Sequence, residues 1–189
     1  RTVGIIGYGH IGQEIAKRAA AFDMKIIAIR RSQQDAVAPL DWIGTIDRLD
    51  ELLSESDFVV VACDMNEETI GMIGARQVAK MKPDGIIINV ARGRIITEEA
   101  LYNALKNKKI GGAVLDVWYN YIGNDEEEVP PTNLPFEQLD NVILSAHESA
   151  STPEQVERRW RFVAENICRV TDGENPKNVV FVGNAEAFD

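Results

Sequence analysis

The stretch GIIGYGHIGQEIA, residues 4–16, holds Gly7, Gly9 and Gly12 between an apolar run and a helical pattern. Three glycines at this spacing do one recognisable piece of chemistry. The first permits a tight turn, the second lets backbone approach a pyrophosphate, and the third lets a helix pack closely on a strand. The unpaired N–H groups of the helix start then face an anion, so the backbone of His10 and Ile11 is expected to contribute while the His10 ring is incidental. A second group of residues bears on which dinucleotide is held. About twenty residues downstream, where an NAD site usually carries an acid for the ribose hydroxyls, the chain reads Arg30-Arg31-Ser32. An acid repels a 2′-phosphate, whereas arginine and serine offer it charge and donors, so NADP is expected over NAD.

These residues need a scaffold, and the rest of the chain spells one. Apolar β-branched runs at 2–6, 24–29, 42–46, 57–63, 85–90, 110–118 and 141–147 alternate with helical patterns at 10–22, 47–56, 75–81, 97–107 and 152–171. In the first helix Ile11, Ile15 and Ala19 read as one face. Thr152, Pro153 and Gln155 read as a capping box, and Gly173 as the stop of the last helix. Strand–helix alternation implies right-handed crossovers and an α/β fold, a doubly wound parallel sheet of Rossmann type in three αβα layers. The rhythm breaks at 119–139, a long, acidic, proline-bearing segment that reads as an ordered excursion or a surface loop.

Composition narrows the function classes. The 189 residues fit one domain, read as a dinucleotide-binding domain over 1–180 with a tail over 181–189. A net charge of −10 argues against nucleic-acid or anionic-membrane partners and requires a local positive field for any anionic ligand. Cys63 and Cys168 are too few and too far apart for a disulfide scaffold or a metal site, and both fall in apolar segments that read as buried. No metal site is expected. No apolar run approaches the ~20 residues of a bilayer span and no signal peptide is read, so a cytoplasmic protein is expected.

Three further segments, NVARGRIITEEALYNAL (89–105), GGAVLDVW (111–118) and NVILSAHESAST (141–152), join GYGHIG in an ordered series. Together they resemble the nucleotide-binding domain of the D-isomer-specific 2-hydroxyacid dehydrogenases. The resemblance runs from about Thr2 to about Val180. It implies hydride transfer between a nicotinamide and C2 of a small 2-oxo or 2-hydroxy acid such as glyoxylate or hydroxypyruvate. It also implies that Arg92 grips the substrate carboxylate and that His147 is the acid/base. Ala91, Arg92, Asp116 and His147 would lie along the cofactor, with Asp116 near the nicotinamide carboxamide. Cys63, at the end of the fourth strand, either touches the adenosine half or is a structural cysteine.

The chain departs from the family at one position of consequence. The usual glutamate partner of the histidine falls at Tyr121, and a phenol cannot supply a carboxylate's charge at neutral pH. Asp125, Glu126, Glu127 and Glu128 follow closely, and read better as a solvated acidic loop. Trp118, Tyr119 and Tyr121 either line the substrate side or pack the excursion. Asp64 and Asn66 stand where relatives commonly have Pro and Thr. The family closes a second domain over the cofactor, and the start at Arg1 reads as a cofactor domain alone, expected to bind but not to turn over. Homodimers through this domain are also implied. The alternative is a dinucleotide-sensing protein that has lost turnover.

Overall fold

The computed structural model describes residues 1–121 and 129–180, and resolves into two compact units, Arg1–Glu148 and Ser149–Asp189. The acidic run 125–128 and the tail 181–189 lie outside the described residues.

The first unit is built on seven parallel strands. They are β1 (Thr2–Ile6), β2 (Lys25–Ile29), β3 (Trp42–Gly44), β4 (Phe58–Val61), β5 (Ile86–Asn89), β6 (Gly112–Leu115) and β7 (Val142–Leu144), in spatial order 3-2-1-4-5-6-7. Between them lie α1 (His10–Ala20), α2 (Leu49–Glu55), α3 (Ala75–Val78) and α4 (Glu98–Lys106). The order reverses between β1 and β4, the switch point beside which open α/β sheets bind ligands.

Each strand's two-residue period divides its apolar side chains between two layers. Ile6, Ile27, Ile29, Val59, Val61 and Ile87 face α2, α3 and α4, while Val3, Ile5, Ile26, Ala28 and Val60 face Ala16 and Ala19 of α1. Both layers of the central strands are covered, which is why they read as continuous apolar runs. On α1 the buried face is Gly12, Ala16 and Ala19, with Ile15 half-buried and Ile11 58% exposed. The expected Ile11–Ile15–Ala19 face is therefore corrected. A helix seated this closely takes small residues underneath, and Ile11 is turned outward at its first turn.

The excursion is ordered where it is described. Buried Glu98, at the start of α4, accepts hydrogen bonds from the Asn133 N–H and side-chain amide (2.6 and 2.8 Å) and from the Leu134 N–H at 3.2 Å. Phe136 is fully buried against Tyr102 and Tyr119, with ring centroids 5.3 and 6.2 Å apart.

The second unit contains α5 (Pro153–Thr171). Thr152 caps it by accepting from the Gln155 N–H, but its own N–H goes to the Ala150 carbonyl, so half of the expected capping box forms. Gly173 ends the helix in a left-handed conformation, φ 77°. Cys168 is exposed on this helix rather than buried, a correction to the reading from its apolar neighbours. No helix among the described residues is long and apolar enough to cross a membrane.

Candidate active site

The glycine loop leaves β1 at the switch point. Gly7 has φ 101°, and a Cβ there would lie 2.5 Å from the Cys63 nitrogen, so the backbone at the end of β4 abuts the loop. The half-buried Cys63 therefore belongs to the loop's wall, and burial pushes its thiol up to about 11. A Cβ on Gly12 would stand 2.4 Å from the Gly7 carbonyl oxygen, which is the close helix–strand contact the motif requires. Gly9 behaves differently. Its backbone is extended (φ −93°), and a Cβ there meets nothing within 4 Å.

Neither conformation nor packing thus explains Gly9, and the space beside it is open. No side chain caps this end of α1, although the Gly9 carbonyl already accepts from the Gln13 N–H. The first-turn donors of His10, Ile11 and Gly12 are those a helix leaves for an external acceptor. This combination fits a pyrophosphate. His10 and Ile11 are both exposed there.

Beyond β2, the Arg30 N–H is fixed to the Gly44 carbonyl at 2.9 Å, which anchors the segment to β3. The Arg30 guanidinium bonds Gln34, while Arg31 and Ser32 are exposed. Beyond β4, Asn66 closes the turn with its own hydrogen bonds. Its Oδ1 accepts from the Glu68 and Thr69 N–H groups, and Thr69 Oγ1 donates to the Asp64 carbonyl at 2.8 Å.

Arg92 follows β5, and its turn is built by a residue the sequence reading passed over. Asn89 is buried, at 1% exposure; its Oδ1 accepts from the Ala91 N–H and its Nδ2 donates to the Arg92 carbonyl. A polar residue closing the apolar run IIIN was the available signal. Gly93 then lets this turn touch the next one, since a Cβ there would be 2.3 Å from the Trp118 carbonyl oxygen. Ala91 is buried and Arg92 exposed. The Arg92 guanidinium donates to the Ala91 carbonyl at 2.7 Å, and among the described residues it makes no ion pair.

His147 follows β7 in the left-handed region, at φ 60°, an uncommon state for a residue with a Cβ. Asp116 holds that turn from both sides. Its buried Oδ1 accepts from Ser145 Oγ at 2.6 Å and from the Glu148 N–H at 3.1 Å. Ser145 thus helps to hold the turn that carries His147, a part its place in the sequence did not suggest. The His147 ring lies 5.7 Å from the ring of Tyr121.

The three aromatics after β6 part company. Tyr119 turns to Phe136, and burial near Glu98 and Glu99 holds its phenol well above the usual range; Tyr121 turns to His147; Trp118 lines a cleft with Pro130–Phe136. Thus the glycine cradle, Arg30–Ser32, Cys63, Arg92, Asp116 and His147 all follow the carboxyl ends of parallel strands. Among the described residues no cluster of acids, histidines and cysteines could hold a metal ion.

Residues 1–149 match the family described as D-isomer specific 2-hydroxyacid dehydrogenase, NAD binding domain. The chain is 41% identical to a D-3-phosphoglycerate dehydrogenase of Methanocaldococcus jannaschii over 97% of its own length and 34% of that protein. It is also 41% identical to a glyoxylate reductase of Thermococcus gammatolerans, over 95% of this chain and 51% of the relative. A solved NADPH-dependent glyoxylate/hydroxypyruvate reductase of Sinorhizobium meliloti superposes with a TM-score of 0.78 at 29% identity, covering 95% of this chain and 53% of that one. The chain therefore spans between a third and about half of the length of these relatives. With the matched residues covering the whole cradle-bearing unit, the chain belongs to the D-isomer-specific 2-hydroxyacid dehydrogenase family and carries its NAD-binding domain.

Proposed function

We propose that this chain is the cofactor domain of a reductase that moves a hydride from NADPH to C2 of a small 2-oxo acid of the glyoxylate or hydroxypyruvate kind. The observation that carries the reading is the company kept at one end of the sheet. An open glycine cradle, a cation that makes no ion pair among the described residues and an exposed histidine all follow strand carboxyl ends. The relatives, a glyoxylate reductase and an NADPH-dependent glyoxylate/hydroxypyruvate reductase among them, support the same reading.

When bound, the nicotinamide would supply the hydride. The chain's own residues do the remainder. The first-turn N–H groups at Gly9, His10, Ile11 and Gly12 hold the pyrophosphate, with Gly7 making the turn that aims them. Arg30, Arg31 and Ser32 take the 2′-phosphate; Arg30 must leave Gln34 to do so. The Cys63 backbone borders the adenosine half. Ala91 and Asp116 border the nicotinamide half.

Arg92 binds the substrate carboxylate and polarises the neighbouring carbonyl, work suited to a planar, permanently charged group. His147 gives its proton to the oxygen as the hydride reaches carbon, and takes it back in the oxidative direction. β5 and β7, which present these two residues, stand two strand spacings apart, about 10 Å. A small acid fits across that gap.

The reading also carries a cytosolic location and a homodimer, and sedimentation of the chain would test the dimer. A panel of 2-oxo acids with NADPH and the full-length protein tests the activity. Arg92→Lys and His147→Gln should each lower kcat/KM at least about a hundredfold. Tight NADPH binding with no turnover on any acid would favour the sensing protein instead, a reading to which only Tyr121 lends support.

A further inference from the structure

Position 121 holds the phenol ring of Tyr121 against His147, and what surrounds that ring shows how its place is set. The turn that follows β6 is tied down twice. The N–H groups of Tyr119 and Asn120 both donate to the Pro131 carbonyl at 3.1 Å, and the Asn120 side chain donates to the Pro130 carbonyl. From that fixed base the Tyr121 ring folds back, and its hydroxyl oxygen accepts from the Trp118 N–H at 3.2 Å. The ring is therefore anchored at both ends, by its backbone and by its oxygen.

The turn that follows β7 is fixed independently. Leu115 and Leu144 are paired in register, so Asp116 and Ser145 are the next step out, and Asp116 grips residues 145 and 148. His147 is carried between these two grips with its backbone set at φ 60°. Its backbone is held, but the grips on residues 145 and 148 do not touch the imidazole. Among the described residues, the ring packed against the imidazole is that of Tyr121, at 5.7 Å between centroids and 55° between planes, a tilted aromatic packing.

We propose that Tyr121 is a positioning residue for His147, confining the imidazole by aromatic packing from a ring that Trp118 N–H locks in place. The phenol brings no charge. It restricts the rotation of an exposed side chain, which matters for a proton donor because transfer requires the donor to be aimed before the hydride moves. The functional meaning of this confinement rests on His147 being the proton donor, but the confinement itself does not.

The 189-residue chain contains two histidines, so His10 serves as an internal reference for NMR of the imidazoles. Wild type is expected to show cross-ring NOEs between Tyr121 and His147, ring-current displacement of the His147 signals relative to those of His10, and a single His147 χ1 rotamer. Tyr121→Phe keeps the ring but loses the oxygen held by the Trp118 N–H, so the NOEs and the displacement should be weakened but not lost. Tyr121→Ala should lose the displacement and give rotamer-averaged couplings at His147 while His10 is unmoved. Absence of cross-ring NOEs in the wild type overturns the proposal without any variant. So does a His147 that stays in one rotamer in Tyr121→Ala. Failure of the full-length protein to reduce any 2-oxo acid would sink the proposed reaction and leave these ring measurements standing.

Discussion

Gly9 and Gly12 sit three residues apart in one motif, yet they answer to different demands. Gly12 is required by the fold, because a Cβ would collide with the Gly7 carbonyl oxygen; Gly9 has open space and an ordinary extended backbone. Gly12→Ala is expected to destabilise the chain by about 1–3 kcal/mol through overpacking, lowering the urea midpoint. Gly9→Ala, at the N-cap of α1, should lower that midpoint less than Gly12→Ala while weakening dinucleotide binding at least about tenfold, as read by NADPH fluorescence. Equal behaviour of the two variants would refute the distinction. The thiols divide similarly. Burial raises the Cys63 thiol to about 11, and Cys168 is exposed, so alkylation at neutral pH is expected to label Cys168 well ahead of Cys63. Mass spectrometry of the partly labelled chain distinguishes the two sites.

At the scale of elements, the amino end of the sheet is fastened by one carboxylate. Asp57, just before β4, accepts from Lys82 at 2.9 Å, from the Thr2 N–H at 2.6 Å and from Arg1 at 3.3 Å. Lys82 above all, then the Thr2 N–H, lowers its pKa to about 2. The folded value lies below the unfolded one, so the stabilisation is present above about pH 4 and is lost as pH falls towards 2, amounting to about 2 kcal/mol. Asp57→Asn should therefore lower stability by about that much at pH 7, and the gap to wild type should close between pH 4 and pH 2. A constant gap over that range would contradict the account.

Elements were the part of this protein most legible in its sequence. All seven strands and the larger helices are where the apolar β-branched runs and the helical patterns put them, with ends trimmed by up to three residues. The pattern reports burial, and burial extends beyond the hydrogen-bonded ladder. What the sequence could not show is the long-range polar wiring. Asp116 reaches Ser145, Glu98 reaches Asn133, and neither pair lies close in the chain. Tyr121 illustrates the limit best. From the sequence it is a missing carboxylate, whereas in three dimensions it is a ring placed on His147.

At the scale of the whole molecule, the sheet order does the gathering. Residues drawn from positions as distant as Gly7 and His147 lie along one end of the sheet, up to four strand spacings apart, because every strand runs the same way and every crossover returns to the same end. The central claim is that this end holds a nicotinamide dinucleotide carrying a 2′-phosphate. Fluorescence titration of the chain with NADPH and NADH, side by side, tests it most directly. NADPH is expected to bind about ten- to a hundredfold more tightly, a margin that Arg30→Ala and Arg31→Ala together should largely abolish. Tighter binding of NADH, or no binding of either, would contradict it.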